Sequence, residues 1–188
     1  MAEALAEAAK GLGQTSPNPA VGAVIVRNGE VIGRGHHTWH GIHHAEIEAL
    51  KNAGDASGAT MYLTLEPCSH TGRTGPCAEA LIEAGIAHVV AAMEDPNPLV
   101  AGQGFEKLRN AGITVEIDMD ATSAAEKLNP SFAHFMRTGL PLVTLKAALT
   151  LDGKIAAPAD NSGWITSEKA RSHVQMLRHQ SDAILTGI

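Results

Sequence analysis

At 188 residues, with 44% hydrophobic and 18% charged side chains, the chain has room for one complete domain and part of another, in an ordinary globular composition. Fourteen Lys and Arg against twenty Asp and Glu leave a formal charge of −6, which offers no broad basic face and excludes nucleic acid as the expected partner. No apolar run is long enough to cross a membrane, the start lacks a signal pattern, and the only two cysteines are expected to stay reduced in a cytoplasmic protein.

Residues 2–12, AEALAEAAKGL, are strong helix formers stopped by Gly11 and Gly13. A Ser16-Pro17-Asn18-Pro19 loop leads to two apolar, β-rich stretches, 21–26 and 30–35. Arg27-Asn28-Gly29 separates them, and Asn-Gly is a strong hairpin signal, so two antiparallel strands are predicted. The pattern AEIEALKN at 45–52 is helical, and 61–65 is a short strand ending at Glu66-Pro67. After a loop rich in Gly, Thr and Ser, 76–84 is predicted as a helix with proline in its first turn and Gly85 at its end, followed by a strand at 87–93. A helix at 104–111, a strand at 113–117 and a helix at 121–128 continue the alternation, which predicts an α/β layered domain. Residues 137–141 read as a connection and place a boundary near 140. Beyond it a strand is expected at 142–149, a helix at 167–179 and a further strand from 183. Forty-eight residues are too few to bury a core, so 141–188 is expected to be the opening of a longer second domain.

His44-Ala45-Glu46 opens one predicted helix, Pro67-Cys68 closes a predicted strand, and Pro76-Cys77 opens the next helix. One imidazole and two thiolates suit zinc, whose catalytic sites keep three protein ligands and leave the fourth position to water. Bound there, water has a pKa of about 7 and becomes a nucleophile at neutral pH. Displacing an amine also requires a group that delivers protons to the ring nitrogen and to the departing nitrogen. Glu46, two residues from the candidate ligand, can do this without binding the metal. Taken singly, a histidine at a helix start is more often a cap, and two cysteines are as often buried packing residues. Together, at element boundaries, they form the pattern of a zinc aminohydrolase that removes an exocyclic amino group from a pyrimidine. Five histidines crowd this region, His36, His37, His40, His43 and His44. Spacing to Glu46 selects His44, and His43 is expected to point about 100° away around a helix.

HAE and LEPCSHTGRTGPC, with SPNPAVGAVIV before them and EDPNPLVAGQG after, make essentially the whole chain similar to the RibD family of bifunctional riboflavin-biosynthesis proteins, in the cytidine-deaminase-like superfamily. The eight residues between Cys68 and Cys77 are specific, because the superfamily usually shows P-C-x-x-C. The resemblance implies a three-layer cytidine-deaminase-like sheet with helices on both faces for 1–140, and an incomplete α/β reductase domain, using NADPH, for 141–188. The reaction it implies is hydrolytic deamination of 2,5-diamino-6-(5-phosphoribosylamino)pyrimidin-4(3H)-one to 5-amino-6-(5-phosphoribosylamino)uracil. In the full-length family this is followed by reduction of the ribosyl group to ribityl.

The 69–76 loop leaves one candidate ligand and returns to another, which tethers His70 and Arg73 beside the reaction centre as phosphate donors. The resemblance gives them to the substrate, together with Asn18, Asp95 and Asn97; by themselves, Asn and Asp beside prolines are turn formers. In the second part it gives Ala148 and Trp164 to the cofactor and Ser162 and Arg178 to the substrate, although no glycine-rich dinucleotide fingerprint is present. A small phosphoribosyl pyrimidine and a second copy of the chain are the expected partners. Two other readings share the pattern. One is a cytosine, guanine or tRNA-adenosine deaminase, against which the acidic charge and the long loop count. The other is a structural zinc module, which needs four protein ligands.

Overall fold

A computed structural model describes residues 1–37, 43–70, 75–156 and 164–187. The chain divides into two compact units, Met1–Leu142 and Val143–Ile188. The first unit holds α1 (Ala2–Ala9), β1 (Gly22–Arg27), β2 (Glu30–His36), α2 (Ala45–Ala53), β3 (Thr60–Leu63), α3 (Cys77–Glu83), β4 (His88–Ala91), α4 (Gln103–Asn110), β5 (Thr114–Ile117), α5 (Met119–Leu128) and α6 (Pro130–Thr138). The five strands form one mixed sheet in the order β2-β1-β3-β4-β5, antiparallel at β2-β1 and β1-β3 and parallel from β3 to β5.

The hairpin forms where Asn-Gly demanded it: Asn28 and Gly29 both take positive φ, 53° and 82°, the conformation of a two-residue turn whose twist suits antiparallel strands. Alternation then sorts the strands. Met61 and Leu63 of β3 and Val89 and Ala91 of β4 are buried while their neighbours are half-buried. Those side chains meet Ala45 and Ala49 of α2, Ala78 and Leu81 of α3, and Phe105 and Leu108 of α4 in the main core on one face. A smaller core on the other face joins Leu65, Ala92 and Met93 to Ala121 and Ala125 of α5, with Met1 and Leu5 packed against it. The result is the three-layer α/β fold expected for this part.

The sequence reading omitted α6. Its signal was present in Asn129-Pro130, a capping residue followed by a proline at the first helical position. In the second unit, α7 (Glu168–His179) forms with Ser167 capping the Ala170 N–H. The strand expected at 142–149 does not form, nor does one at 183–187. A strand exists only where a neighbour pairs with its N–H and C=O groups, and among the described residues none pairs with these. Thr150–Lys154 instead closes a turn in which the Thr150 N–H donates to the Lys154 carbonyl at 2.9 Å.

Candidate functional site

The parallel strands β3 and β4 end side by side, and the segments leaving their carboxyl ends carry Cys68 and the Asp95-Pro96-Asn97-Pro98 loop. Crevices beyond such strand ends are where α/β sheets commonly bind ligands. The amino ends of α2 and α3 close on the same place. α2 is held tightly to β2 because Gly35 has no side chain: a Cβ there would lie 2.2 Å from the Ala45 carbonyl oxygen. That contact fixes the first turn of α2, where His44 and Glu46 stand. His44 is the N-cap with extended backbone, φ −71° and ψ 164°, and its side chain makes no capping bond, which leaves the imidazole free for the site. The helical offset expected for His43 therefore does not apply, since neither residue is inside the helix.

His44 Nδ1 lies 3.6 Å from Cys68 Sγ and 3.2 Å from Cys77 Sγ, and the three ligand atoms are all within 4.8 Å of one another. Bonds of about 2.3 Å to sulfur and 2.0 Å to nitrogen put two ligands of a tetrahedral zinc about 3.5–3.8 Å apart, and both imidazole–sulfur distances lie within a few tenths of an ångström of that spacing, so the donor set fits zinc. Among the described residues the group has three members rather than the four of a closed structural site. Cys77 is the first residue of α3, and its N–H donates to Cys68 Sγ at 3.3 Å. The hydrogen bond from Cys77 brings the Cys68 thiol down to about 4, against burial and with help from His44, while the same contact pushes Cys77 up. His44 is raised, first by its hydrogen bond to Cys68. The cluster therefore holds one thiolate readily, in the field of a helix amino end.

Glu46 is 3% exposed. Burial raises its pKa, opposed by its own backbone N–H and by His44 and Cys77. His70 flanks a small open cavity that Cys68 and Asp95 also line. Asp95 accepts the Asn97 N–H at 2.8 Å, and Asn97 Oδ1 accepts the Leu99 N–H at 3.1 Å, so each spends one side-chain oxygen on the turn it sits in. Burial raises Asp95, with the Asn97 N–H opposing. Arg73 and Ser162 lie outside the described residues. Ala148, Trp164 and Arg178 belong to the second unit, where the Arg171 guanidinium stands 4.6 Å over the Trp164 ring and Arg178 occupies the last turn of α7.

Three residues near the site escaped the sequence reading as functional candidates. His37 Nδ1 lies 3.1 Å from the His43 carbonyl, which can only accept, so Nε2 is left to accept the amide of Asn18 at 3.2 Å. That turns Asn18 so that its Oδ1 has no hydrogen-bond partner among the described residues. Asn129 grips the peptide of Ala20 from both sides, accepting its N–H at 2.7 Å and donating to its carbonyl at 2.8 Å, which pins the loop carrying Asn18. Glu66 is buried and takes four backbone N–H groups from the 95–105 segment. Only the position of Glu66 beside Pro67-Cys68 could have drawn notice; its partners are 29 to 39 residues away.

Residues 1–93 match the family model of the cytidine and deoxycytidylate deaminase zinc-binding region, and residues 141–188 match the RibD C-terminal domain. The chain is 54% identical over 187 residues to the riboflavin biosynthesis protein RibD of Escherichia coli, covering 99% of this chain and 51% of that one. Among solved structures, Acinetobacter baumannii RibD superposes with a TM-score of 0.88 at 51% identity, over 96% of this chain and 51% of that one. A deaminase/reductase from Thermotoga maritima, described as acting on diaminohydroxyphosphoribosylaminopyrimidine and 5-amino-6-(5-phosphoribosylamino)uracil, gives 0.86 at 44% identity, over 95% and 51%. The chain thus spans about half the length of the relatives it matches. The zinc-binding match and the His, Cys, Cys cluster together make zinc the cofactor of the first unit.

Proposed function

The chain belongs to the RibD family of riboflavin-biosynthesis proteins, and from that premise we propose that residues 1–140 are a zinc-dependent deaminase domain and residues 141–188 the N-terminal part of an NADPH-dependent reductase domain. The substrate is 2,5-diamino-6-(5-phosphoribosylamino)pyrimidin-4(3H)-one, and hydrolysis replaces one exocyclic amino group by oxygen to give 5-amino-6-(5-phosphoribosylamino)uracil and ammonia. One observation carries this reading: His44, Cys68 and Cys77 converge from three separate elements beside the buried carboxyl of Glu46, whose pKa burial raises.

His44, Cys68 and Cys77 hold the zinc, which when bound supplies the Lewis acidity that makes water nucleophilic at neutral pH. Glu46 accepts the proton that water gives up as its oxygen bonds to the amino-bearing carbon. It passes that proton to the ring nitrogen, then takes the remaining proton from the oxygen now bonded to carbon and gives it to the amine, so that a carbonyl forms as the carbon–nitrogen bond breaks and ammonia leaves. A carboxyl raised by burial suits both halves of the task, because it gives up and takes back a proton more evenly than a carboxyl of ordinary acidity. Asn18, with its amide nitrogen engaged by His37, presents an acceptor to the donor groups of the base. His70 and Arg73 take the phosphate, and Asp95 and Asn97 the ribose side. Ala148 and Trp164 serve the nicotinamide cofactor of the complete reductase, and Ser162 and Arg178 its substrate. The chain works in the cytoplasm as a homo-oligomer; among the described residues no helix is long and apolar enough to cross a membrane.

The decisive experiment is ammonia release from the diaminopyrimidine phosphoribosyl compound, paired with metal analysis of the same sample. One zinc per chain and steady release are expected. Faster release from tRNA would replace the substrate, and a zinc-loaded protein inert on both would remove the reaction.

A further inference from the structure

Besides Glu7 of α1, the mechanism leaves the buried carboxylate of Glu66 unused. Glu66 is 6% exposed and sits two residues before Cys68, at the end of the segment that follows β3. Its Oε2 accepts the N–H groups of Asp95 at 3.1 Å and Gly102 at 2.9 Å, and its Oε1 those of Gly104 at 2.8 Å and Phe105 at 3.3 Å. Its own N–H donates to the Met93 carbonyl at 3.0 Å. The four donors come from both ends of one excursion, Asp95 where it begins and Gly102 to Phe105 where it turns into α4. α4 has no side-chain cap of its own, because its N-cap is Gly102 in the left-handed region at φ 79°. Glu66 supplies the acceptors that an N-cap would, and places negative charge at the positive end of the helix.

We propose that Glu66 is a positioning residue: it ties the Asp95 to Asn97 loop to the strand end that carries Cys68, and so sets the distance between the metal centre and the wall that grips the substrate. This rests on the deaminase reading above. The joint is tight from the other side as well, since a Cβ on Gly104 would lie 2.0 Å from the Pro67 carbonyl oxygen and 3.1 Å from Glu66 Oε1. The cavity beside this joint is lined by Glu66, Cys68, His70 and Asp95 together. A carboxylate is the one side chain of this size whose two oxygens both accept only, which matches four converging N–H groups; an amide would turn two donors onto two donors.

Glu66→Gln therefore keeps volume and shape but splits one half of the joint. In the zinc-loaded fraction, KM for the phosphoribosyl pyrimidine should rise at least about tenfold while kcat stays within about threefold, as expected when ground-state grip is lost and the proton chemistry is left in place. Hydrogen exchange should show the Asp95 and Gly102 amides protected in the wild type, although neither lies in a helix or strand, and released in the variant. An unchanged KM, or a fall in kcat alone, in a folded variant with wild-type zinc would make Glu66 a mere stabiliser of the fold and overturn the proposal. A wild type that releases no ammonia would instead sink the deaminase reading. For a Glu66→Gln chain that fails to fold, the wild type decides: fast exchange at Asp95 and Gly102 overturns the joint, and slow exchange that substrate slows further upholds it.

Discussion

Two buried carboxyls at the residue scale make opposite predictions. Glu46 is raised by burial and in the proposed reaction works by exchanging protons, so Glu46→Gln should retain about one zinc per chain while kcat for ammonia release falls by about 10²–10⁴, the range of a lost general acid–base. Metal analysis and steady-state kinetics on one preparation check this, and a variant that still turns over would move the proton shuttle elsewhere. Glu7, on the buried face of α1, is lowered from its ordinary value of 4.5. Burial alone would raise it, but the hydrogen bond and charge of Lys10 at 2.7 Å and the contact with His36 at 3.2 Å outweigh that. A carboxyl depressed in the folded state adds stability above its unfolded pKa and gives it up as pH falls through the folded value. Glu7→Gln should therefore cost about 1 kcal/mol near pH 7, with the gap to wild type closing below pH 4.5 in urea titrations at the two pH values. A gap that stays constant with pH would mean that shape, and not charge, holds α1 to β2.

At the scale of elements, the glycines of β2 decide where the chemistry stands. A Cβ on Gly35 would reach within 2.2 Å of the Ala45 carbonyl oxygen and 2.5 Å of the Ala49 N–H nitrogen, both backbone atoms of α2 that cannot swing aside. Gly35→Ala must push the first turn of α2 outward and take His44 and Glu46 with it. The expected cost is about 1–3 kcal/mol of stability and about a 10- to 100-fold loss of zinc affinity, read by denaturant unfolding and by competition with a chelator. Unaltered zinc affinity would show that the metal ligands are placed independently of this contact. The sequence carried the hairpin, the alternating elements and the His44, Cys68 and Cys77 cluster openly, because each is a local signal: a turn dipeptide, a period, or a histidine or cysteine at an element end. α6 also had a local signal in Asn129-Pro130, overlooked beside the loop reading that began at 137. What sequence could not display are the joints made across distance. Glu66 finds its donors 29 to 39 residues on, and Asn129 clasps Ala20 from 109 residues away. The apolar run at 142–149 misled for the same reason in reverse, since strand propensity makes no ladder where the described chain offers no partner.

On the scale of the whole molecule, every residue assigned to deamination, and both hydrophobic cores, belong to Met1–Leu142. Val143–Ile188 by itself is a different kind of object. Among its described residues the one helix, α7, has no buried residue, and Leu145, Leu151, Trp164 and Leu185 are exposed. A unit of this size buries too little apolar surface to hold a fixed tertiary structure unaided. Ending the chain after Leu142 should therefore leave zinc content, the cooperative thermal transition and kcat/KM for ammonia release unchanged. The 188-residue chain, offered the deaminated product with NADPH, should show no loss of nicotinamide absorbance, because a unit as small as Val143–Ile188 cannot enclose a dinucleotide. A shortened chain that lost deamination would place part of the active site after Leu142, and the assignment of the first unit as the complete deaminase would fall.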